Sequence, residues 1–482
     1  MKRLLDRVEV VETRGGLPAH IEALAYDSRK VLPGTCFVAL RGTKTDGHRF
    51  LQAAESAGAA AAVVEEFPNE GSLPCVRVRD TLATMPLLAA EFFEHPARDM
   101  TLAGFTGTNG KTSSTYLLEA IWAAAGIPSA VIGTIQYRWK DRVQKAPNTT
   151  PLALDLHTLL HEIRKDGVRH VAMEVSSHAL SQERVAGLEF DVAVWTNLTR
   201  DHLDYHGDME SYFEAKRRLF TEHLAAGGRR VLPVDDPWGA RLLDEQCAGD
   251  ISWGLDRGAV CARMVISDLD GSRFDLRLPE TELEVRLPLV GVHNLRNGLA
   301  AAAAASAAGL GPKAIRRGLK RARPLSGRLE RVKTKLPFPV FVDFAHTPEG
   351  LRSVLQALDR ITDRRLIVVF GAGGERDQGK RGPMGYAVGE LADVQIVTSD
   401  NPRSEDPVVI AEAVADGVRA AGAEPMVVLD RKQAIRTALE LADERSLVLV
   451  AGKGHEAFQT IGDEQVPFSD QNVLRSLSRR LR

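Results

Sequence analysis

Short apolar runs that end in polar residues recur through the middle of the chain. Residues 101–106 predict a buried strand, and the glycine loop after it leads into a stretch where Leu117 and Ile121 recur at helical spacing. Residues 171–175 and 190–195 predict two more buried strands. Continuous apolar strands of this kind are typical of parallel sheets that helices cover on both faces. The pattern therefore predicts an open α/β domain at the centre of the chain.

A similar alternation of strand and helix patterns flanks this centre. Before about Ala97, residues 36–40 and 60–64 predict strands of a small α/β domain, bounded by Gly, Pro and Asp turn residues. After about Ser326, alternating strands and amphipathic helices predict a second doubly wound sheet. Its predicted strands are residues 340–343, 366–370, 394–398 and 447–450, and its predicted helices place Ile410, Val414 and Val418 on one face and Ile435, Ala438 and Leu439 on another.

Chain length sets the expected number of domains. The chain has 482 residues, and a single hydrophobic core of typical size serves about 100 to 200 residues. We therefore predict an α/β fold of three domains, at residues 1–98, 99–325 and 326–482. The alanine-rich run at residues 299–308 is too short to span a bilayer and predicts a packed helix.

Composition narrows the class of protein. The formal net charge is -2 and 26% of the residues are charged, so no global field attracts nucleic acid or a membrane surface. We expect neither a nucleic-acid partner nor membrane insertion. The four cysteines show no CxxC spacing, and the first residues include no apolar stretch. Both features predict a cytoplasmic protein with reduced thiols.

The sharpest local motif is the glycine loop at residues 107–112, which lies between a predicted strand and a predicted helix. Its backbone N–H groups can surround phosphates at a helix N-terminus. Lys111 is predicted to reach the β- and γ-phosphates, and Thr112 a magnesium ion. Phe105 stands where a strict phosphate-loop motif has its first glycine. The alternative is a glycine turn that only caps a helix.

Carboxylates and imidazoles cluster in two further places. Glu174 follows a buried strand, where it could hold Mg²⁺ opposite Thr112. Ser177 and His178 invite a hydrolase interpretation, but the G-x-S-x-G elbow is missing. Residues 201–206 include two aspartates and two histidines, which suit a transition-metal site, a phosphate-side Mg²⁺ site, or a polar loop with a capping aspartate.

A lysine and three loops complete the candidate chemistry. Lys216 lies on a predicted helical face with aromatic residues, where a lysine more often extends its ammonium to solvent than takes part in catalysis. In the last third, Arg376 stands where the third glycine of a dinucleotide motif belongs, which argues against NAD. Arg376 and residues 400–403 and 452–456 follow successive predicted strands, so they indicate a site for a zwitterionic ligand, with charged surface loops as the alternative.

Taken in order, these motifs resemble the Mur ligase superfamily across essentially the whole chain. The resemblance rests on residues 107–112, 174–178, 196–202, Lys216, 291–294, 327–328 and 342–348. Within the superfamily, the chain is most similar to the tripeptide synthetases that add the third amino acid of the cell-wall peptide. That similarity rests on residues 148–151, 201–206, 373–377, 400–403 and 452–456.

The resemblance implies a small N-terminal α/β domain for a UDP moiety, a central P-loop ATPase with a mostly parallel sheet, and a C-terminal Rossmann-like domain for an amino acid. It implies an ATP-dependent amide ligase that joins meso-diaminopimelate to the D-Glu of UDP-N-acetylmuramoyl-L-Ala-D-Glu through an acyl phosphate, in peptidoglycan synthesis. ATP and Mg²⁺ are the expected cofactors. A cytoplasmic monomer is expected.

The resemblance also implies a role for individual residues. Lys111, Lys216, His202 and Glu174 are the expected catalytic residues, and Thr112, Glu174, His202 and a carbamylated Lys216 the expected metal ligands. ATP is expected at Gly107, Thr108, Asn109, Gly110, Lys111, Thr112, Asn294, Arg328 and Asp343. The UDP substrate is expected at Ser28, Thr43, Lys44, Thr45, Asn148, Thr149, Thr150, Ser176, Gln182 and Arg184. Diaminopimelate is expected at Arg376, Asp400, Asn401, Pro402, Arg403, Gly452 and Glu456.

Three alternatives stay open. The first is a related ligase that takes L-lysine or another amino acid, or a folylpolyglutamate-type enzyme. Arg403 and residues 201–206 argue against both. Arg403 argues against lysine because lysine has no distal carboxylate for a guanidinium to bind. The second is a metal-dependent phosphohydrolase that uses the histidines and aspartates of residues 201–206. The third is a binding protein without catalytic activity.

Overall fold

The computed structural model describes residues 1–42 and 45–479. The chain divides into two compact units, Met1–Trp253 with Ala300–Ala314, and Gly254–Leu299 with Ile315–Arg482. The domain boundaries predicted after residues 98 and 325 stay predictions. Each unit contains α/β layers built around mostly parallel strands.

The first unit begins with a small sheet of five strands in the order β1-β5-β4-β3-β2. Strands β2 to β5 are parallel and β1 is antiparallel to β5. Phe37 and Val38 point to opposite faces and both are fully buried, so helices cover the sheet on both sides. The elements are β1 Val10–Arg14, β2 Ala23–Ala25, β3 Thr35–Val38, β4 Ala61–Val64, β5 Cys75–Val78, α1 Lys2–Leu5, α2 Leu51–Ser56, α3 Thr81–Phe92, and the 3-10 turns Ser28–Lys30, Gly47–Phe50 and Pro96–Asp99.

The second sheet of this unit positions the candidate phosphate loop. Its strand order is β13-β12-β11-β6-β10-β7-β8-β9, parallel from β13 to β7. Because β6 lies between β11 and β10, the loops that follow these three strands meet at one edge. The elements are β6 Thr101–Thr106, β7 Ser129–Ile132, β8 Gln136–Trp139, β9 Arg142–Lys145, β10 His170–Glu174, β11 Phe190–Trp195, β12 Leu224–Pro233, β13 Ile251–Gly254, α4 Lys111–Ala124, α5 Ala153–Lys165, α6 Ser177–Ser181, α7 Leu203–His206, α8 Met209–Thr221 and α9 Pro237–Leu243.

The second unit begins with an antiparallel meander that the hydrophobic pattern does not predict. Its strands are β14 Val260–Asp268, β15 Gly271–Leu278 and β16 Thr281–Leu287. In the chain, the helices α10 Val292–Ala307 and α11 Pro312–Arg321 follow, and their residues 300–307 and 312–314 are counted with the first unit. Leu299 and the alanines 300–305 of α10 are fully buried, which confirms the predicted packed helix.

A doubly wound sheet forms the rest of the second unit, in the order β17-β18-β22-β19-β20-β21. Strands β18, β22, β19, β20 and β21 are parallel, so their carboxyl ends lie at one edge. The predicted second sheet is confirmed. The elements are β17 Glu330–Arg331, β18 Val340–Asp343, β19 Arg365–Phe370, β20 Val394–Val397, β21 Met426–Val427, β22 Ser446–Ala451, the hairpin β23 Phe458–Ile461 and β24 Glu464–Pro467, α12 Pro348–Asp359, α13 Arg381–Leu391, α14 Pro407–Ala420, α15 Arg431–Leu441, α16 Asp470–Leu477 and the 3-10 turn Gln378–Lys380.

The predicted fold class is therefore confirmed as α/β with mostly parallel sheets. Over residues 1–42 and 45–479, we find no helix that combines the length and the apolar character needed to cross a membrane.

Candidate active site

The glycine loop runs from the end of β6 to the start of α4. Gly107 and Gly110 have φ values of 142° and 88°, which L side chains rarely adopt. A Cβ on Gly107 would lie 2.0 Å from Thr196 Oγ1, so the loop after β11 leaves room only for glycine. Lys111 Nζ donates hydrogen bonds to the carbonyl oxygens of Gly107 at 2.7 Å and Thr108 at 2.9 Å. Its ammonium group therefore folds over the loop at the amino end of α4, where anions are stabilised.

Residues after β11 hold the glycine loop in place. The backbone N–H of Thr108 donates to the Asn197 carbonyl oxygen at 2.8 Å, and that of Asn109 to Asn197 Oδ1 at 3.0 Å. Thr108 Oγ1 donates to the Thr199 carbonyl oxygen at 3.1 Å. These bonds fix the loop from one neighbouring strand end and give it the preorganised shape that phosphate binding requires.

Lys216 of α8 reaches the same loop. Its Nζ donates to the Gly107 carbonyl oxygen at 3.0 Å, so two lysines share one acceptor. Lys216 is only 1% exposed and its Nζ lies 4.6 Å from the centre of the Tyr212 ring. Burial, and then the charge of Lys111, hold the pKa of Lys216 well below its ordinary value. The buried position excludes the solvent-exposed interpretation, and a lowered pKa favours the neutral amine that can add carbon dioxide.

A carboxylate from the strand on the other side of β6 meets the phosphate loop. Thr112 Oγ1 donates to Glu174 Oε2 at 3.0 Å. Thr134 donates its backbone N–H to Glu174 Oε1 at 2.8 Å and its hydroxyl to Oε2 at 3.1 Å. Glu174 is 1% exposed. A hydroxyl and a carboxylate beside a phosphate loop form the oxygen donor set that Mg²⁺ prefers.

Three histidines pack together, His178 of α6, His202 just before α7 and His206 of α7. The ring centres of His178 and His202 lie 4.9 Å apart, and His206 Nε2 lies 2.9 Å from Ser177 Oγ. Burial lowers the pKa of His178 to about 4 and also lowers the pKa of His202. Neutral imidazole is the form that binds metal ions.

The predicted metal ligands stay a prediction at this stage. In the described part of the chain, no group of three or more His, Cys, Asp or Glu residues is arranged to hold a metal ion. The predicted set combines the Thr112 hydroxyl and a carbamate on Lys216 with Glu174 and His202, so only two of its four ligands are of those residue types. The Thr112 and Glu174 oxygens fit Mg²⁺.

Two predicted substrate threonines are linked to Glu174, Thr150 directly and Thr149 through Thr134. Thr149 Oγ1 lies 3.0 Å from Thr134 Oγ1, whose hydroxyl also contacts the Glu174 carboxylate. Thr150 Oγ1 donates to the Glu174 carbonyl oxygen at 2.8 Å and accepts the Ser176 N–H at 3.1 Å. A continuous chain of hydrogen bonds therefore links the phosphate loop to the predicted substrate residues.

Arg184 extends this chain. Its Nη1 donates to the Thr150 carbonyl oxygen at 2.9 Å and its Nη2 to Gln182 Oε1 at 2.7 Å. Asn148 is exposed, and its carbonyl oxygen accepts the Tyr137 hydroxyl at 2.5 Å. The structure thus brings the central substrate residues predicted from sequence onto one edge of the sheet.

The N-terminal part of the predicted UDP site is only partly described. Ser28 begins the 3-10 turn Ser28–Lys30, and the Thr45 carbonyl oxygen accepts the Gly42 N–H at 3.0 Å. Thr43 and Lys44 lie outside the described residues. Within residues 1–42 and 45–479, no hydrogen bond joins Ser28 or Thr45 to the central threonines.

The predicted ATP residues of the second unit include the buried carboxylate of Asp343. This carboxylate accepts the N–H groups of Leu329 at 2.5 Å and Ala345 at 2.7 Å. Burial raises the pKa of Asp343, while Arg328 opposes that shift. Asn294 lies in the first turn of α10, where its Nδ2 donates to a backbone carbonyl oxygen at 2.9 Å.

The three loops predicted to bind an amino acid follow the neighbouring strands β22, β19 and β20. Asn401 Nδ2 donates to Glu456 Oε2 at 2.8 Å. Arg403 Nη1 donates to the Gly374 carbonyl oxygen at 2.5 Å. The structure therefore joins the loop after β20 to both of the others, as the sequence predicts.

The remaining residues of this set lie at the same edge. A Cβ on Gly452 would lie 2.5 Å from Asp400 Oδ2, and a Cβ on Gly374 would lie 2.0 Å from the Pro402 carbonyl oxygen. Arg376 is exposed. Close backbone packing thus surrounds the buried Asp400 carboxylate, while Arg376 lies at the surface.

Comparisons with known proteins agree with this geometry. Three family models match the chain: "Mur ligase family, catalytic domain" at residues 20–82, "Mur ligase middle domain" at 105–305 and "Mur ligase, glutamate ligase domain" at 327–454. A UDP-N-acetylmuramoyl-L-alanyl-D-glutamate--2,6-diaminopimelate ligase of Geobacter metallireducens is 45% identical over 505 residues, which cover 99% of each chain. The chain belongs to the Mur ligase family.

Solved structures of Mur ligases share the fold. One titled as a UDP-N-acetylmuramoyl-L-alanyl-D-glutamate--2,6-diaminopimelate ligase is 31% identical, covers 96% of this chain and 95% of its own, and has a TM-score of 0.70. A MurF ligase from Thermotoga maritima in complex with ADP is 18% identical, covers 95% of this chain and 97% of its own, and has a TM-score of 0.66. The resemblance stated from the ordered motifs is confirmed.

In this Mur ligase, three residues outside the predicted site set contact residues of that set. Thr134 bonds to Glu174, Tyr212 lies beside Lys216, and Lys453 bonds to Asn401 and Glu456. Thr134 follows β7 without any motif of its own. Lys453 lies inside the run 452–456, where its neighbours could have drawn attention to it.

Proposed function

We propose that this Mur ligase joins meso-diaminopimelate to the D-Glu of UDP-N-acetylmuramoyl-L-Ala-D-Glu, with ATP as the energy source. One observation supports this function most strongly. Thr112 of the phosphate loop, Glu174, Thr134 and the predicted substrate residue Thr149 form one chain of hydrogen bonds. A nucleotide phosphate at the glycine loop and a substrate at Thr149 would then be held at the same edge of the sheet. The names of the relatives supply the identity of the substrates.

The reaction has two chemical steps. The free γ-carboxylate of D-Glu attacks the γ-phosphorus of ATP, which forms an acyl phosphate and releases ADP. The amino group of diaminopimelate then attacks the acyl carbon, loses a proton and expels phosphate. Catalysis of the first step consists mainly of positioning and of offsetting negative charge.

The residues around the phosphate loop offset that charge. Lys111 places an ammonium group at the mouth of the loop, where a carboxylate and a triphosphate repel each other. Thr112, Glu174, His202 and Lys216 as a carbamate would hold Mg²⁺, which supplies further positive charge when bound. The buried amine of Lys216, with its lowered pKa, suits carbamate formation.

Product analysis tests the proposed function. The protein is incubated with ATP, UDP-N-acetylmuramoyl-L-Ala-D-Glu and meso-diaminopimelate, and the masses of the UDP-linked products are measured by mass spectrometry. We expect a product heavier than the substrate by one diaminopimelate less one water. ATP consumption with no such product would contradict ligation and favour a phosphohydrolase.

Arg403 is proposed to select diaminopimelate over lysine. Arg403→Ala is expected to raise the KM for diaminopimelate about 10- to 100-fold, because a hydrogen bond to a charged group contributes about 1.5 to 3 kcal/mol. The KM for ATP is expected to change less than about twofold. Steady-state kinetics with each substrate varied in turn measure both values.

Arg445→Ala is the matched control, since Arg445 is exposed in the same unit. It should leave both KM values unchanged. Equal rises of the KM values for diaminopimelate and ATP in Arg403→Ala would show that Arg403 does not belong to the amino-acid site.

The domain boundaries at residues 98/99 and 325/326, the use of Mg²⁺, a cytoplasmic location and a monomeric state belong to the same proposal. The three matched segments, 20–82, 105–305 and 327–454, support the boundaries because each falls inside one proposed domain. Light scattering of the purified protein tests the monomer.

A further inference from the structure

Lys453 is a fully buried lysine. It lies in the loop after β22, one of the three loops predicted to bind an amino acid. Its side chain has no exposed surface. Its Nζ donates to Asn401 Oδ1 at 3.1 Å and to Glu456 Oε2 at 2.8 Å. A buried ammonium is costly unless it is paired, and here both partners are residues proposed to bind the incoming amino acid. Lys453 therefore contacts two residues of the proposed amino-acid site.

The contacts of Lys453 fix the orientation of the Asn401 amide. Asn401 Oδ1 accepts from Lys453 Nζ and from the Thr460 N–H at 3.0 Å. With its oxygen bound to two donors, the amide must direct its Nδ2 group to Glu456, which it meets at 2.8 Å. A flipped amide would place an NH₂ group against an ammonium.

The two carboxylate oxygens of Glu456 differ in the hydrogen bonds that they accept. Oε2 accepts both Lys453 Nζ and Asn401 Nδ2. Within residues 1–42 and 45–479, no hydrogen bond to Oε1 is found. The Glu456 N–H donates to the Lys453 carbonyl oxygen at 3.0 Å, which closes the turn between them. One carboxylate oxygen is thus fixed and the other is available to a ligand.

We propose that Lys453 is a positioning residue that holds Glu456 and Asn401 so that Glu456 Oε1 receives an ammonium group of the incoming amino acid. This inference rests on the proposed function, because Glu456 binds the amino acid only if the protein is a ligase of that kind. Lys453 itself touches no substrate. Its loss acts through the position and the charge of Glu456.

The charge of Lys453 also keeps Glu456 ionised. Burial raises the pKa of Glu456, but the hydrogen bonds from Lys453 and Asn401 and the charges of Lys453 and His455 together outweigh burial, so the pKa lies below its ordinary value. Asp400 and Arg431 are the other charged groups that interact with Glu456. Without the ammonium, the burial effect is opposed less and the pKa of Glu456 rises. A protonated Glu456 cannot bind an ammonium group as an ion pair. As the pH falls, the protein without this ammonium should therefore lose activity at limiting diaminopimelate at a higher pH than the unsubstituted protein does.

The test uses Lys453→Met, which keeps most of the length of the side chain and removes its charge. We expect the KM for diaminopimelate to rise about 10- to 100-fold, the range for a lost hydrogen bond to a charged group, while the KM for ATP changes less than about twofold. The acid limb of kcat/KM for diaminopimelate should move to higher pH. Lys432→Met is the matched control, because Lys432 is exposed on α15 of the same unit and should leave all three quantities unchanged.

A second substitution shows whether Lys453 acts through Glu456. Glu456→Gln and Lys453→Met should each raise the KM for diaminopimelate, and the double variant should be little worse than the more severe single variant. Additive effects, or an unmoved acid limb in Lys453→Met, would overturn the inference. If Lys453→Met does not fold, Lys453→Gln replaces it with the same expected shift of the acid limb.

Failure of this inference can be told apart from failure of the proposed function. If the unsubstituted protein forms no amide product with diaminopimelate, both fail. If it forms the product while Lys453→Met keeps its KM and its acid limb, only the inference about Lys453 is wrong.

Discussion

Lys111→Ala is expected to lower kcat/KM for ligation by about 10³-fold, one of the two largest effects predicted for this protein. Lys111 holds its ammonium group over the Gly107 carbonyl oxygen at 2.7 Å, at the amino end of α4. Removing a preorganised group that stabilises charge in a transition state typically costs about 10²- to 10³-fold or more. Initial rates of ADP formation with all three substrates measure the loss.

Lys165→Ala is the matched control for Lys111→Ala. Lys165 is exposed at the end of α5 in the same unit, and its removal deletes the same charge far from any predicted site residue. The control should ligate as the unsubstituted protein does. Unchanged ligation by Lys111→Ala would show that residues 107–112 are not the phosphate loop.

Lys216→Ala is expected to lower kcat about 10²- to 10³-fold, and short carboxylic acids should restore part of the loss. Lys216 is 1% exposed, so its removal leaves a buried space beside the Gly107 carbonyl oxygen. If the active form is a carbamate, a small carboxylate that enters this space supplies the missing anionic group. Rates measured against increasing acetate or formate test this directly.

Two outcomes with Lys216→Ala would contradict the carbamate. Full activity of Lys216→Ala without any added acid would show that catalysis does not require Lys216. A severe loss that no carboxylic acid relieves, in a protein whose melting temperature is unchanged, would mean that the amine itself is required. Lys165→Ala again serves as the control and should show neither loss nor response to acetate.

Sequence patterns predict the strands at the site well, because buried parallel strands leave a clear local signal. The predicted strand at residues 101–106 coincides with β6, and the predicted strand at 190–195 coincides with β11. Glu174 was placed after a strand and is the last residue of β10. Polar residues at the ends of parallel strands must meet at one edge, so the pattern also predicts which loops come together.

The hydrophobic pattern does not predict contacts between residues that are far apart in sequence. Lys216 donates to a carbonyl oxygen 109 positions earlier, and nothing in its own helix shows that its ammonium is buried. Thr134 meets Glu174 across 40 positions without a motif. The antiparallel strands β14 to β16 alternate only loosely, since Met264 and Ile266 are exposed in a bulged region of β14. These features depend on tertiary packing, which overrides local preference.

Lys453 shows the same limit within a recognised motif. The run 452–456 is predicted as part of the amino-acid site, yet a lysine in a loop between glycines reads as a solvated charge. Only the structure shows that its ammonium is buried against Asn401 and Glu456.

The central claim is that this Mur ligase couples ATP cleavage to the addition of diaminopimelate. Phosphate release from ATP, measured with UDP-N-acetylmuramoyl-L-Ala-D-Glu present, tests it most directly when meso-diaminopimelate, L-lysine and no amino acid are compared. The account predicts strong stimulation by diaminopimelate and little by lysine. Stimulation by lysine would keep the ligase but contradict the role of Arg403, and phosphate release indifferent to all three conditions would contradict the ligase itself.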